Sequence, residues 1–257
     1  MMRLDKYLAL NGFSSRTKAA RAISEGRVKV NGKCVSASAE IREGDLVEVQ
    51  KEEVSFVSEG GFKLYKALSE FGESVEGCVF ADIGASTGGF TDCLLQGGAQ
   101  RVYAVDVGES QLEGALADDA RVRVMDNVNA RYLKKEDFPE EIGGITADVS
   151  FISLTLILPA VADILSEKGK AFLLVKPQFE CGRAALDKHG IVKDEKERCK
   201  ALLAVCFAAE ENGLYVKKIT NAPLKARKNV EYVVLFEKDK RGALTPDKIG
   251  ELASTLT

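Results

Sequence analysis

The 257-residue chain has no tryptophan and a single histidine, His189. Chemistry that needs two histidines is therefore excluded. Six cysteines (Cys34, Cys78, Cys93, Cys181, Cys199, Cys206) include no C-x-x-C pair. That spacing argues against a compact zinc site, and no metal is expected. Long hydrophobic runs are also missing. The longest, Phe151 to Ala162, holds Ser153, Thr155 and Pro159 and stops at Asp163, too short to span a bilayer. Met1-Met2-Arg3-Leu4-Asp5 lacks the apolar core of a signal segment. The expectation is a cytoplasmic protein with reduced thiols and no membrane partner.

What is present is ordinary for a soluble globular chain: 46% apolar and 29% charged residues. Disorder, collagen and coiled coil are excluded as the dominant state, and the length suits one large domain plus a small one. The net charge of −3 hides a split. Residues 1–34 carry Arg3, Lys6, Arg16, Lys18, Arg21, Arg27, Lys29 and Lys33 against Asp5 and Glu25, a balance of +6, which leaves −9 for the rest. A basic segment on an acidic body suggests a polyanion-binding module attached to something else.

Leu4, Tyr7, Leu8 and then Ala19, Ala20, Ile23 recur at helical spacing. Asn11-Gly12 stops the first helix and Ser14-Ser15 can cap the second. Val28–Val30 alternates as a strand, turns at Asn31-Gly32, and a further strand is predicted at Leu46–Val49. Residues 1–50 thus read as a small α+β domain, 51–60 as a linker, 61–240 as a second domain and 241–257 as a tail. The second domain opens with a helix near Phe62–Phe71 and then alternates. Strands are predicted at Val79–Ile83, Val102–Val105, Val122–Met125, Ala147–Ser150 and Ala171–Val175. Helices are predicted at Phe90–Leu95, Gln111–Ala117, Leu154–Leu165 and Lys196–Glu210. Alternation of this kind argues an α/β fold with a doubly wound parallel sheet. Leu214–Ile219 and Tyr232–Phe236 follow with no helix between them, which predicts an antiparallel hairpin at one edge.

Val79-Phe80-Ala81-Asp82-Ile83-Gly84-Ala85-Ser86-Thr87-Gly88-Gly89-Phe90 is a strand, a glycine-rich turn and a helix start. Glycine lets the backbone approach a ligand closely, and the helix start offers free N–H groups. Asp106, 22 residues after Gly84, ends the next strand and can accept ribose hydroxyls of a nucleoside cofactor. The glycines follow neither G-x-G-x-x-G nor the P-loop pattern, so NAD and P-loop nucleotides are disfavoured. D-x-G-x-x-x-G-G-F instead resembles motif I of the class I methyltransferases that use S-adenosylmethionine. Asp126-Asn127, after the third strand, stands where that family contacts the adenine.

Ligands of an open α/β sheet sit at the carboxyl ends of the strands. Asp148 ends the fourth predicted strand and Lys176 the fifth. Lys63 lies on the helix leading into the first strand, and Glu231 starts the last strand. Two lysines and two carboxylates brought together could deprotonate a hydroxyl. Each alone reads as a solvated side chain. In this order, the four are similar to the Lys-Asp-Lys-Glu tetrad of the FtsJ-like ribose 2′-O-methyltransferases. Rival chemistries are poorly served: Asp148-Val149-Ser150-Phe151 is not the motif of amino methylation of adenine, and Cys181 lacks the context of a nucleophile for cytosine carbon.

The N-terminal unit, with Arg3-Leu4-Asp5-Lys6-Tyr7-Leu8, Ser15-Arg16, Ala19-Ala20, Ile23, Gly26-Arg27-Val28 and Val30-Asn31-Gly32, looks like an S4 RNA-binding domain. S4 followed by an FtsJ-like methyltransferase resembles the TlyA (hemolysin A) family, over residues 1 to about 240. The resemblance implies a Rossmann-like methyltransferase sheet and 2′-O-methylation of ribosomal RNA, free or in ribosomal subunits, on cytidine ribose in the best-known members. It makes Lys63, Asp148, Lys176 and Glu231 the catalytic tetrad, with Lys176 the base or the cation that steers the hydroxyl. Gly84, Ser86, Thr87, Gly88, Gly89, Phe90, Asp106, Asp126 and Asn127 become contacts to S-adenosyl-L-methionine. Arg3, Arg16, Lys18, Arg21, Arg27, Lys29 and Lys33 become phosphate contacts. A second basic set (Lys217, Lys218, Lys225, Arg227, Lys228) either holds substrate beside Glu231 or is plain surface. The chain departs from the family at two places: Ser58-Glu59 replaces Ser-Arg before Gly60-Gly61, and Lys228 replaces Gly before Asn229. Cys199, Cys206, Phe151, Ile152, Leu154, Leu156 and Ile157 are read as core. Two other classes stay open, an RNA-binding protein with a methyltransferase fold that no longer turns over and, more remotely, a cytolysin.

Overall fold

Runs of β-branched and aromatic residues that are buried on both faces make parallel strands, because helices must cover both sides of such a sheet. The structure, a computed structural model, describes residues 2–11, 13, 15–24, 26–42, 44–49 and 54–256, without the side chains of Lys18 and Arg21. Gly12, Ser14, Glu25 and residues 51–53 of the expected linker lie outside the described residues.

The chain divides into two compact units at Ser55/Phe56. The first holds β1 (Met2–Arg3), α1 (Leu4–Leu10), α2 (Arg16–Ser24), β2 (Val28–Val30), β3 (Lys33–Cys34), β4 (Glu40–Ile41) and β5 (Val47–Val49). Leu4, Leu8, Ala19, Ala22, Ile23, Val28 and Ile41 form its core. The β2–β3 hairpin turns at Asn31 and Gly32, with φ of 51° and 76°. Both central residues of a type I′ turn need that left-handed backbone, which Asn-Gly tolerates best.

The second unit begins with α3 (Glu59–Phe71), followed by β6 (Val79–Ile83), α4 (Gly89–Gln96), β7 (Arg101–Val105), α5 (Gly114–Ala117), β8 (Val122–Met125) and β9 (Ile142–Ala147). Then come α6 (Leu158–Ile164), β10 (Leu165–Val175), α7 (Pro177–Glu180), α8 (Glu195–Glu211), β11 (Tyr215–Asn221), β12 (Tyr232–Glu237) and α9 (Pro246–Thr255). Seven strands form one sheet in the order β11-β12-β10-β9-β6-β7-β8. β6, β7, β8, β9 and β10 run parallel, and β12 and β11 add the expected antiparallel hairpin at one edge.

Helices cover both faces. Leu64, Ala67 and Phe71 of α3 and Phe90, Cys93 and Leu94 of α4 pack on one. Leu158 and Val161 of α6, Leu202, Val205 and Ala209 of α8, and Ile249 and Ala253 of α9 pack on the other. The stretch expected as a tail thus contributes a core helix, because Ile249 and Ala253 stand one helical turn apart and are 4% and 0% exposed. The chain passes through β6, β7 and β8 outward and then returns to β9 on the other side of β6. That reversal between β6 and β9 is the topological switch point, where open sheets of this kind bind ligands.

Candidate active site

Asp148 is the first residue past β9, Lys176 the first past β10 and Glu231 the last before β12, while Lys63 occupies the second turn of α3. Parallel strands end together, so the sheet brings side chains distant in sequence to one edge. Asp148 bridges both lysines: Oδ1 lies 2.6 Å from Lys176 Nζ and Oδ2 accepts from Lys63 Nζ at 3.2 Å. Lys63 also donates to Glu231 Oε2 at 2.8 Å. The order Lys176–Asp148–Lys63–Glu231 alternates in charge, each lysine lying against a carboxylate. Burial works against the charged Lys63, but Asp148 and Glu231 outweigh it and raise its pKa above the ordinary lysine value. The Lys176 side chain is the more secluded lysine, 8% exposed against 22% for Lys63, and has one carboxylate beside it where Lys63 has two.

Several groups join this cluster that sequence spacing did not reveal. Lys176 Nζ donates to Ser150 Oγ at 2.8 Å and stands 5.8 Å from the Phe179 ring centroid. Gln178 Nε2 donates to Glu231 Oε1 at 3.1 Å, and its buried Oε1 has no partner among the described residues. Glu180 accepts from the Leu154 N–H at 2.7 Å and from the Ser153 hydroxyl, which fixes the loop after Asp148. Burial pushes the Glu180 carboxyl up, opposed by those two donors. Phe151, expected in the core, is 93% exposed with φ of 62°, its ring 5.3 Å from that of Phe179. The left-handed backbone at Phe151 turns it outward while Leu154 and Ile157 go inward, and Leu156 is likewise 49% exposed.

The glycine-rich turn follows β6 directly beside Asp148. Gly84 has φ of 77°, and a Cβ there would meet the Asp148 carbonyl oxygen at 3.0 Å, so only glycine fits between the two strand ends. At Gly89 a Cβ would stand 2.2 Å from Ser58 Oγ and 2.8 Å from the Gly61 nitrogen, so this glycine lets α4 pack closely on the start of α3. Asp106 holds the turn open: its carboxylate accepts the Ser86 N–H and the Gly108 N–H, each at 2.8 Å. Asp126 accepts the Ser110 N–H at 2.9 Å, and Asn127 beside it is exposed with φ of 60°. Ser86 and Thr87 are exposed, whereas Gly88 is walled by Leu112 and Leu116 and the Phe90 side chain lies in the core. The carboxylate of Asp106, the free hydroxyls and the glycine surface suit a nucleoside with a charged, compact tail, so the donor set fits S-adenosylmethionine.

One buried acid supports the turn from below. Asp82 is 1% exposed and accepts from Thr91 Oγ1 at 2.6 Å and Thr146 Oγ1 at 2.8 Å. Burial pushes its carboxyl up to about 6, against the pull of the two hydroxyls.

The expected phosphate contacts of the N-terminal unit are not equivalent. Arg3 and Arg16 pair with Asp5 at 3.0 and 2.8 Å and hold its carboxyl well below the usual range. Lys33 is exposed, Lys29 and Arg27 are half-buried, and the Lys18 and Arg21 side chains lie outside the described residues. In the second basic set, Lys217 donates to the Arg241 carbonyl at 2.6 Å, while Lys218 donates to the Phe71 carbonyl at 2.5 Å and pairs with Glu73 at 2.7 Å. These two lysines tie β11 to its neighbours, and Lys225, Arg227 and Lys228 remain at the exposed turn before Glu231.

Two family models match the chain, FtsJ-like methyltransferase over residues 56–238 and S4 domain over residues 2–47. Hemolysin A of Brachyspira hyodysenteriae is 44% identical over 239 residues, 91% of this chain and 99% of that protein. The 16S/23S rRNA (cytidine-2′-O)-methyltransferase TlyA of Mycobacterium tuberculosis is 39% identical over 251 residues, 95% of this chain and 92% of its own length. The solved structure of a hemolysin-named protein from Streptococcus thermophilus matches with a TM-score of 0.75 at 40% identity, covering 99% of this chain and 95% of that one. Among the described residues no helix is long and apolar enough to cross a membrane. A methyltransferase model covering the whole sheet, and relatives matched over nearly their full lengths, leave one assignment: the chain belongs to the FtsJ-like methyltransferase family and carries an S4 domain ahead of that domain.

Proposed function

We propose that this protein methylates the 2′-hydroxyl of a cytidine ribose in ribosomal RNA, using S-adenosylmethionine. The observation that carries the reading is the Asp148 carboxylate bridging Lys176 and Lys63, with Glu231 on the second lysine, beside the glycine turn at the switch point. The rRNA (cytidine-2′-O)-methyltransferase relatives support the substrate.

The turn from Gly84 to Phe90 would hold the cofactor, with Asp106 on its ribose hydroxyls and Asp126 and Asn127 toward the adenine. When bound, S-adenosylmethionine supplies a methyl group activated by its sulfonium charge. The protein's own part is then alignment and proton removal. A ribose hydroxyl is a weak acid, so its oxygen becomes an adequate nucleophile only as a base takes the proton. Lys176 is that base once its ammonium has released a proton to solvent: it is the more buried lysine, and Asp148 and Ser150 hold its Nζ in place. Lys63 stays cationic between Asp148 and Glu231 and orients the ribose. Phe151 offers an exposed ring beside Phe179 on which the target base can stack, worth about 1–3 kcal/mol per base. The S4 unit supplies salt-sensitive grip on the RNA backbone through its exposed cations.

Methyl transfer from radiolabelled S-adenosylmethionine to ribosomal RNA and to subunits, followed by nucleoside analysis, tests the reading. Label in 2′-O-methylcytidine is the expected result. Label on a base, or none at all with the cofactor bound, overturns it.

A further inference from the structure

The residues ahead of Glu231 form a turn that the tetrad does not use. Lys225, Ala226, Arg227 and Lys228 are all exposed, and the turn closes through the Lys228 N–H donating to the Lys225 carbonyl at 3.3 Å. Arg227 fills its third position with φ of 61°, a backbone region that glycine takes by default. A cationic residue held there, exposed and with three cations in four residues, is not explained by packing. The base of the turn is pinned. The Ala222 N–H donates to the Glu231 carbonyl at 2.8 Å, and Asn229 bonds the Val192 N–H and the Gly190 carbonyl, each at 2.9 Å. The cationic tip is therefore presented, at a fixed place, next to the tetrad.

Its electrostatic partner is equally specific. Lys225 forms an ion pair with Glu59, the first residue of α3 and one turn ahead of Lys63. The Lys225 hydrogen bond holds the Glu59 carboxyl below its ordinary range, and Lys228 and Lys63 add to the effect. Glu59 thus lies within the field of two cations of the turn, paired with Lys225 and near enough to Lys228 to feel its charge. The Glu59 side chain is 81% exposed and thus displaceable. Arg227 and Lys228 have no carboxylate within ion-pair distance among the described residues.

We infer that this turn is a phosphate clamp for the RNA strand entering the tetrad, in which Lys225, Arg227 and Lys228 hold phosphates flanking the target nucleotide and Glu59 keeps the place of a phosphate until RNA displaces it. The inference rests on the RNA reading above. Lys228 and Glu231 are three residues apart, at most about 10 Å of chain, so a phosphate on the turn belongs to a nucleotide at or beside the one facing Lys176. The guanidinium fork and the ammonium groups match phosphate oxygens, and the strand's charge outcompetes a single exposed carboxylate.

The test uses the full chain and a short fluorescein-labelled poly-cytidylate RNA, with affinity followed through a salt series. The R227G/K228G variant keeps the turn, since glycine suits both positions, and should lose about tenfold in affinity at low salt. Its slope of log affinity against log salt should be shallower by about 1–2. Glu59→Gln should act in the opposite direction, tightening binding about threefold at low salt and not at all at high salt. A merely structural Glu59 would not tighten RNA. Unchanged slopes in R227G/K228G, or weaker binding by Glu59→Gln, overturn the clamp. An effect on poly-glutamate binding without one on RNA assigns the turn to an acidic protein and also overturns it. Wild-type protein that shows these slopes but transfers no methyl group removes the functional reading and leaves the clamp standing.

Discussion

Replacing Asp148 by Asn removes one charge from the middle of the alternating row and leaves Lys176 without its carboxylate. An exposed ion pair contributes about 0–1 kcal/mol, and breaking a fully buried one costs about 3–5 kcal/mol. Here the Asp148 and Lys176 side chains are 19% and 8% exposed, so the cost falls between those limits, about 2 kcal/mol. For a unit of this size that is a fall in Tm of about 4–8 °C. Most of the cost is the stranded Lys176 ammonium rather than a lost attraction. Lys176→Met in the same chain should therefore return about 1–2 kcal/mol, so the double variant is more stable than the two single losses predict. Methyl transfer should not return with stability, because the double variant has neither the base nor its positioning carboxylate. Urea unfolding of the wild type, both single variants and the double variant measures the coupling. Additive losses, or an Asp148→Asn protein within about 0.5 kcal/mol of wild type, would refute the claim that this carboxylate holds a secluded cation.

Asp82 gives a pH signature. Its folded carboxyl, pushed up to about 6 from an ordinary 3.8, keeps a proton that the unfolded chain releases, so its contribution to stability declines as pH rises from about 4 to about 6. Asp82→Asn lacks that proton, and its stability relative to wild type should rise through this window, by up to about 1.4 kcal/mol per pH unit, then level off; a flat difference would exclude the raised carboxyl. Phe151→Ala should raise the RNA concentration needed for methyl transfer by roughly tenfold, from about 1–3 kcal/mol of stacking, with thermal stability unchanged because the ring is 93% exposed. A drop in Tm with unaltered RNA use would make Phe151 a structural residue.

How legible the fold was follows from burial. Strands β6, β7, the second half of β10 and β12 were readable because their runs are largely apolar on both faces, and Lys176 was findable as the first polar residue past one such run. Helix α9 was not, since only Ile249 and Ala253 of its ten residues are buried. Phe151 was misplaced because it opens an apolar run whose later members are core, and only the backbone at φ of 62° turns it out. Arg3 and Arg16 looked like free cations because Asp5 reaches Arg16 across 11 positions of sequence. Gln178 and Glu180 gave no signal for the same reason: their partners Glu231 and Leu154 lie 53 and 26 residues away. Side chains whose role depends on a distant partner are visible only once the sheet has brought the strand ends together.

The central claim is that Lys176 removes the ribose proton while the glycine turn binds the cofactor independently of it. Single-turnover methyl transfer to ribosomal RNA by Lys176→Ala, with S-adenosylmethionine affinity measured calorimetrically on the same protein, tests this most directly. An unchanged cofactor Kd and a rate lower by about 10²–10⁴-fold are expected. A variant that binds the cofactor and transfers methyl at the wild-type rate would contradict it.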